Sequence, residues 1–501
     1  MLLRNSLWNL SGSALPALVA LATVPLMIHG LGLEGFGVVT LITSVVGYFG
    51  VLDANLSAGS IKFLAEHHAR QDSRRFAETF WFGAGFYSLL GLVGGLLLLI
   101  FAETLVDKVF KVSPALRADA LLGLHIAAFG FALLQIQNYL LVVPQALQRF
   151  DRSAGGEAFF GVVVNLASAV VALQGGGVSG VLGARVLVSV VNLVWLVWLM
   201  RQLAIPLQPT LPSREVALAL ANFSAHSWLS RTASMLHQYA DKLIVGALAG
   251  PVALAIYTVP SQLATRILGL TYRLSAVVYP RVSALAATGE QHQLRVLYLD
   301  ANRILTYLNC AVLGMIAITG EHFLSEWVGP EFVALGYPVL LLVTLGLLID
   351  SLTTLPSLVN DGLGHPKISG RFAITRGLLG VAMVWGGTSL YGIIGAAGAH
   401  LLCSILMTLL FLIYVHGRTV PASLQETLRL CWAPSAYICG TALLLMLPIR
   451  LALPISLSGL IWLASISGVT LLLAGWFFIV RIDERAILLS FTRRLIPRAS
   501  R

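Results

Sequence analysis

Apolar stretches long enough to cross a bilayer recur through the whole chain. They lie at about 8–29, 36–58, 79–102, 119–143, 158–174, 179–200, 219–248, 253–278, 302–319, 335–358, 372–388, 392–415, 429–448 and 457–480. A spanning helix needs about 20 mostly apolar residues. A series of this kind, with short polar loops between its members, predicts an all-α polytopic membrane protein of about fourteen transmembrane helices. The composition excludes the main rivals. Of the 501 residues, 57% are hydrophobic and 11% are charged, against about 25% charged in an ordinary soluble protein. A soluble enzyme with so little charge could not cover its surface, and disorder requires the opposite composition. The first stretch follows Arg4, as in a signal peptide, but it is long, carries Pro16 and Pro25, and is followed within seven residues by another span. It reads as a helix.

The net charge of +10 is explained by topology before any nucleic-acid partner is needed. With the N-terminus inside, the inward loops carry about 20 Lys and Arg, six of them arginines in the tail after residue 480. The outward loops hold four: Lys108, Lys111, Arg117 and Arg450. Cytoplasmic loops are enriched in this way, so both termini are expected in the cytoplasm. In the tail, Arg481, Arg485, Arg493, Arg494 and Arg498 alternate with Ile487, Leu488, Leu489, Phe491, Leu495 and Ile496. That pattern predicts a basic amphipathic helix on the anionic leaflet, with a partner-binding tail as the other reading.

A repeat organises the spans. Gly177, Gly180, Gly183, Ala184 and Leu187 recur as Gly392, Gly395, Gly398, Ala399 and Leu402, an offset of 215. Asn9-Leu10-Ser11 recurs loosely as Asn222-Phe223-Ser224, an offset of 213. Six spans fit in one unit, so the two copies enter the membrane in the same sense. Parallel repeats of this kind are a transporter signature, with the substrate at their interface. The expected organisation is a six-helix lobe over 1–205, a second over 206–420, two extra helices over 421–480 and the tail over 481–501. The spaced glycines are expected to let helix backbones pack closely.

Cations inside the spans are the candidate site. A charge at the centre of a spanning helix costs about 2.5–3.5 kcal/mol on insertion scales. The spans contain Arg185, Arg231, Lys242, Arg266, Arg273 and Arg376. Arg185, Arg273 and Arg376 are near enough to a helix end to snorkel. Arg231 and Arg266 are deeper, and face either a cavity or a structural ion pair. Arg231, Gln238 and Lys242 share a helix face, as do Arg266 and Arg273. The resulting cationic surface suits an anionic ligand. Asp241 can neutralise Lys242 or Arg231. Asp53 either binds a coupling cation or caps and pairs locally, and Asp350 is equally open.

Other motifs carry less. Gly30-Leu31-Gly32-Leu33-Glu34-Gly35 has a dinucleotide-like spacing, but it sits in a turn between helices with no strand before it. His67-His68 has no further ligand nearby and reads as a solvated loop. Cys310, Cys403, Cys431 and Cys439 lie in apolar stretches and read as buried thiols. No metal and no cofactor is expected.

Several segments resemble the polysaccharide transporter family, of the O-antigen flippase type, within the multidrug/oligosaccharidyl-lipid/polysaccharide flippase superfamily. They are Gly30-Leu31-Gly32-Leu33-Glu34-Gly35-Phe36-Gly37, Gly50-Val51-Leu52-Asp53, Lys62-Phe63-Leu64-Ala65-Glu66, Tyr239-Ala240-Asp241-Lys242-Leu243-Ile244-Val245-Gly246 with Ala255-Ile256-Tyr257, Tyr279-Pro280-Arg281-Val282-Ser283, Asn360-Asp361-Gly362-Leu363-Gly364-His365-Pro366 and Tyr391-Gly392-Ile393-Ile394-Gly395-Ala396-Ala397. Their order and spacing across spans 1–12 carry the resemblance. It implies two six-helix bundles around a central cavity and alternating access. It also implies transport of an undecaprenyl-diphosphate-linked oligosaccharide to the outer leaflet of a bacterial inner membrane. Na+ or H+ coupling, membrane lipids, and glycan polymerase and chain-length machinery are implied as partners, with the chain itself a monomer and not an enzyme. The second-span motif departs from the family's Asp-Leu-Gly, reading Asp53-Ala54-Asn55. Arg231, Lys242, Arg266, Arg273 and Arg185 are the expected substrate ligands, and Asp53 and Asp241 the candidates for ion coupling. The alternatives are a cation-coupled multidrug exporter on the same architecture and a membrane glycan polymerase or ligase. The longest outward loop, near 103–118, is short for the latter.

Overall fold

The computed structural model describes residues 2–48, 56–203, 208–275 and 278–486, which are almost wholly helical, with no strand among them. In chain order the helices are α1 (Leu2–Tyr48), α2 (Leu56–Ala69), α3 (Ser73–Ile100), α4 (Arg117–Leu140), α5 (Val142–Ala146), α6 (Phe150–Leu173), α7 (Gly177–Gln202) and α8 (Arg214–Ser275). There follow α9 (Val278–Thr288), α10 (Gln291–Val328), α11 (Val333–Ser351), α12 (Thr354–Gly362), α13 (Pro366–His416), α14 (Leu424–Thr427), α15 (Ala433–Ala452) and α16 (Leu457–Ala474). Among the described residues, 11 helices are long and apolar enough to cross a membrane. Three of these, α1, α8 and α13, are each interrupted at a glycine by non-helical backbone, so each comprises two helical limbs.

The breaks are a matter of backbone chirality. Gly32 has φ 69° and ψ 172°, and Gly250 has φ 85° and ψ 175°. Gly392 has φ 59° and ψ −142°, and Gly177, which opens α7, has φ 65°. Side chains rarely tolerate this region, so only glycine turns the chain here without strain. Gly32 and Gly250 are 218 residues apart, and Gly177 and Gly392 are 215 apart. The duplication visible in the sequence is thus matched in backbone conformation.

Contacts divide the chain into two compact units. The first is Met1–Thr258 with Gly377–Ala396, and the second is Val259–Arg376 with Ala397–Arg501. In the first, α1 packs on α6, α4 on α3 and α7, and α6 on α7. Its core includes Tyr87 stacked on Tyr139 at 5.1 Å, with Phe80 beside them. The Tyr139 hydroxyl donates to the Phe80 carbonyl at 2.9 Å, so the buried phenol is satisfied. Asp119, from α4, caps the free amides at the start of α7, accepting from Val178 at 2.6 Å and Ser179 at 3.0 Å. Two limbs also meet closely: a Cβ at Gly37 would stand 2.0 Å from the Pro251 carbonyl.

In the second unit, α10 is central, packing on α11, α15 and α16. Tyr298 and His416 share a hydrogen bond of 2.9 Å, and Trp432 donates to Asn302 at 3.0 Å. The outward faces are apolar in both units. Leu187, Val194, Leu444, Leu472 and Phe478 are all largely exposed, which suits a lipid solvent rather than water.

Some local expectations change. His67 lies within α2, buried and stacked near Phe63 at 6.3 Å rather than solvated. Burial pushes its pKa down, which favours the neutral ring. Close packing holds for Gly180 and Gly395, where a Cβ would meet Val171 at 3.2 Å and the Gly387 carbonyl at 2.0 Å. At Gly183 and Gly398 a Cβ would meet nothing within 4 Å among the described residues. All four cysteines are free and buried. Most of the expected tail, residues 487–501, lies outside the described residues.

Candidate functional site

Arg185 is the candidate with the clearest surroundings. It sits on α7, eight residues beyond Gly177, about 12 Å along the helix at 1.5 Å per residue. Its Nε donates to Ser168 Oγ at 3.1 Å and its Nη1 to Thr43 Oγ1 at 3.0 Å. Both hydroxyls have already given their protons to their own helices. Ser168 donates to Val164 at 2.6 Å and Thr43 to Val39 at 2.7 Å. Each therefore turns a lone pair toward the guanidinium. Among the described residues, no carboxylate forms an ion pair with Arg185. Three helices, α1, α6 and α7, converge on a cation whose charge two neutral oxygens solvate without cancelling.

Asp241 and Lys242 follow one another on α8, in the same unit. Asp241 accepts from the Tyr257 hydroxyl at 3.1 Å and from the backbone amide of Lys242 at 2.8 Å. Tyr257 lies beyond the Gly250 break and is fully buried, so this bond ties the two limbs of α8 together. Arg266 belongs to the second unit, on the later limb of α8, and is half-buried. The side chains of Arg231 and Arg273 lie outside the described residues, as does the whole of Asp53.

Arg376 is placed differently from Arg185. Its Nη2 pairs with Asp350 and donates to Ser404 at 3.1 Å. His400 stands 3.9 Å from the same Asp350 oxygen. The sequence marked Arg376 and Asp350 separately; their pairing across 26 residues carries no local signature. Arg303 is a further buried cation. It bonds the Ile479 carbonyl and pairs with Glu484 at 2.6 Å, joining α10 to the segment after α16. Thr43 and Ser168 were not legible as site residues, because hydroxyls are common in spanning helices and neither lies near Arg185 in sequence.

Comparison with known proteins agrees with this architecture. Residues 31–334 match a family described as polysaccharide biosynthesis protein. A Shigella flexneri protein, described as a candidate O-antigen transporter, is 23% identical over 402 residues, covering 79% of this chain and 93% of its own. The uncharacterised membrane protein EpsK of Bacillus subtilis is 25% identical over 374 residues, covering 70% of this chain and 69% of its own. Among solved structures, the lipid II flippase MurJ in an inward closed conformation matches with a TM-score of 0.71 at 13% identity, covering 94% of this chain and 98% of its own. An inward-facing multidrug resistance transporter of the MATE family matches with a TM-score of 0.67 at 16% identity, over 82% and 98%.

Proposed function

The chain belongs to the polysaccharide biosynthesis protein family, and we propose that it is a flippase for a lipid-linked polysaccharide. The cargo is an undecaprenyl-diphosphate-linked oligosaccharide, carried from the cytoplasmic to the outer leaflet of a bacterial inner membrane by alternating access of lobes 1–205 and 206–420. Both termini are cytoplasmic. The similarity to a candidate O-antigen transporter and to a lipid II flippase supports the class of cargo.

The observation that carries the reading is the seat of Arg185. A cation held inside a spanning bundle by two hydroxyls keeps its full charge. Such a group is expensive unless an anion visits it. A diphosphate offers oxygens that a guanidinium can grip through two parallel bonds. Lys242 and Arg231 in the same unit, and Arg266 and Arg273 in the second, are further candidate ligands for an anionic cargo, and Asp241 and Asp53 are the groups available for Na+ or H+ coupling. The polyprenyl chain stays in lipid, because burying it in a charged lumen would forfeit its favourable solvent.

The test is complementation of a deletion strain. Arg185→Ala and Arg266→Ala should lose surface glycan while protein level and membrane localisation stay at wild type. Normal export in both variants would overturn the charge-based site. A multidrug exporter predicts instead that the deletion strain becomes drug-sensitive with its surface glycan intact.

A further inference from the structure

The polar residues of α7 gather on one face and at one depth. Arg185, Ser189 and Asn192 are spaced four and three apart, so they lie within about 60° of one another around the helix. Leu187, Val191, Val194 and Trp198, on the opposite side, are exposed and suit lipid. On the inner face, apolar layers close the helix on either side of the polar residues. Val178, Val181 and Leu182 toward one end, and Leu196 and Leu199 toward the other, are at most 5% exposed. Arg185, Ser189 and Asn192 are only half-buried. The helix runs from Gly177 to Gln202, so its midpoint falls beside Ser189. A polar belt thus stays open at mid-span between two sealed layers, the depth at which secondary transporters hold their substrate.

A chain of hydrogen bonds fixes which atoms the belt presents. Gln137, on α4, is buried, and its Nε2 donates to the Ser189 carbonyl. A backbone carbonyl only accepts, so the amide of Gln137 must turn its nitrogen there and its oxygen away. That oxygen accepts from Asn192 Nδ2 at 3.4 Å, which orients Asn192 in turn. Asn192 Oδ1 accepts no bond among the described residues, and it is open rather than sealed in the packing. Nδ2 keeps a second proton. Arg185 is similar: Nε and Nη1 engage Ser168 and Thr43, and Nη2 stays open and without a partner among the described residues. The bond from Gln137 to the Ser189 backbone already ties α4 to α7, so Asn192 is not needed for that junction. A polar edge left open inside a span is costly unless something visits it.

The spacing and the chemistry of the two open groups select the visitor. Asn192 lies seven residues from Arg185, about 10.5 Å along the axis. With a diphosphate on Arg185, the next group along a lipid-linked glycan is a sugar ring. A sugar suits the amide on both edges: a hydroxyl or acetamido N–H donates to Oδ1, and a hydroxyl or acetamido oxygen accepts from Nδ2. An ionised diphosphate has no proton for Oδ1, and a hydrocarbon chain would leave both edges unpaired.

We infer that Asn192 is the contact for the first sugar of the cargo, and that Gln137 is the residue that positions it. The inference rests on the flippase reading and deepens it, with Arg185 holding the diphosphate.

The test uses the full-length protein in nanodiscs and three probes: undecaprenyl diphosphate, and the same lipid carrying one N-acetylglucosamine or one galactose. Affinities are read by native mass spectrometry. Wild type should bind at least one glycosylated lipid more tightly than the bare diphosphate. Asn192→Leu, close in volume but without the amide, should weaken that complex roughly ten-fold, the scale of one or two hydrogen bonds, and leave the bare lipid unchanged. Gln137→Leu should show the same sugar-selective loss, whereas Arg185→Ala should weaken all three complexes. If Asn192→Leu lowers the thermal midpoint, Asn192→Ala is read in its place. The contact is overturned by no sugar-dependent gain in wild type, or by an Asn192 variant that binds the glycosylated lipids as wild type does. It is also overturned by an equal loss for bare and glycosylated lipids, the mark of a merely structural residue. Surface glycan in the deletion strain is scored separately. Gene-dependent export alongside any of those results overturns only the sugar contact; export that does not need the gene overturns the flippase reading and the contact with it.

Discussion

Arg185 and His400 hold the same place in the two copies of the repeat, eight residues after Gly177 and Gly392, the glycines of positive φ. Their surroundings have diverged. Arg185 rests on Ser168 and Thr43, two hydroxyls. His400 lies beside Asp350, which is paired with Arg376. The position sixteen residues before each glycine shows how the divergence is enforced. In the second copy it is Arg376. In the first it is Gly161, where a Cβ would stand 2.8 Å from Pro16. An arginine could not be placed there without moving α1. Among the described residues, one copy therefore holds a cation with no carboxylate partner and the other a compensated pair. The lesson is that a charge within a span is a binding feature only when its partners leave it charged.

The largest effect expected is on the first copy. Arg185→Ala should lower glycan export on the order of 100-fold, the scale of losing one partner of a desolvated charge pair. The melting temperature should change little, because the hydroxyls it leaves still bond to Val164 and Val39. A large stability loss with export otherwise normal would make Arg185 structural and erase the contrast.

The second copy should respond in the opposite currency. Asp350→Asn leaves Arg376 buried with no carboxylate, which costs about 3–5 kcal/mol when a buried pair is broken from one side. The expected readout is a lower thermal midpoint and less protein in the membrane. Asp350→Asn combined with Arg376→Leu should recover most of the loss, since replacing both partners removes the unpaired charge. If the double variant is stable but export-dead, the pair takes part in transport.

How much of this was legible in the sequence depends on whether the cause is local. The spans were legible because hydrophobicity over about 20 residues is decided by composition alone. The breaks at Gly32, Gly250 and Gly392 were legible as boundaries between apolar stretches, and the backbone leaves the helical region at each. Arg185 was legible as an intramembrane charge. Its seat was not. Thr43 and Ser168 are 142 and 17 residues from it, and a hydroxyl that bonds its own helix looks the same in sequence whether or not a guanidinium lies beside it. The pairing of Asp350 with Arg376 was hidden for the same reason.

A swap sharpens the comparison further. Arg185→His gives the first copy the residue of the second, without its aspartate. Imidazole has a reference pKa of about 6.5, so the charge at this position becomes a function of pH. Transport in membrane vesicles should then be weak near pH 8 and recover by several-fold near pH 6, where wild type stays flat across the interval. A flat profile in the variant would mean that the position needs the planar fork of arginine, rather than positive charge, to do its work.

The smallest effects should come from the seat itself, and their order is informative. Ser168 is fully buried and Thr43 is exposed. Ser168→Ala leaves the Arg185 Nε without its partner in a dry place, where one hydrogen bond to a charged group is worth about 1.5–3 kcal/mol. Thr43→Val leaves Nη1 at an exposed position that other acceptors can reach, so its cost should be smaller. Export should fall about ten-fold or more in the first variant and about two- to five-fold in the second. The reverse order would place the working end of the guanidinium on the α1 side, and would move the proposed phosphate contact from α6 toward Thr43.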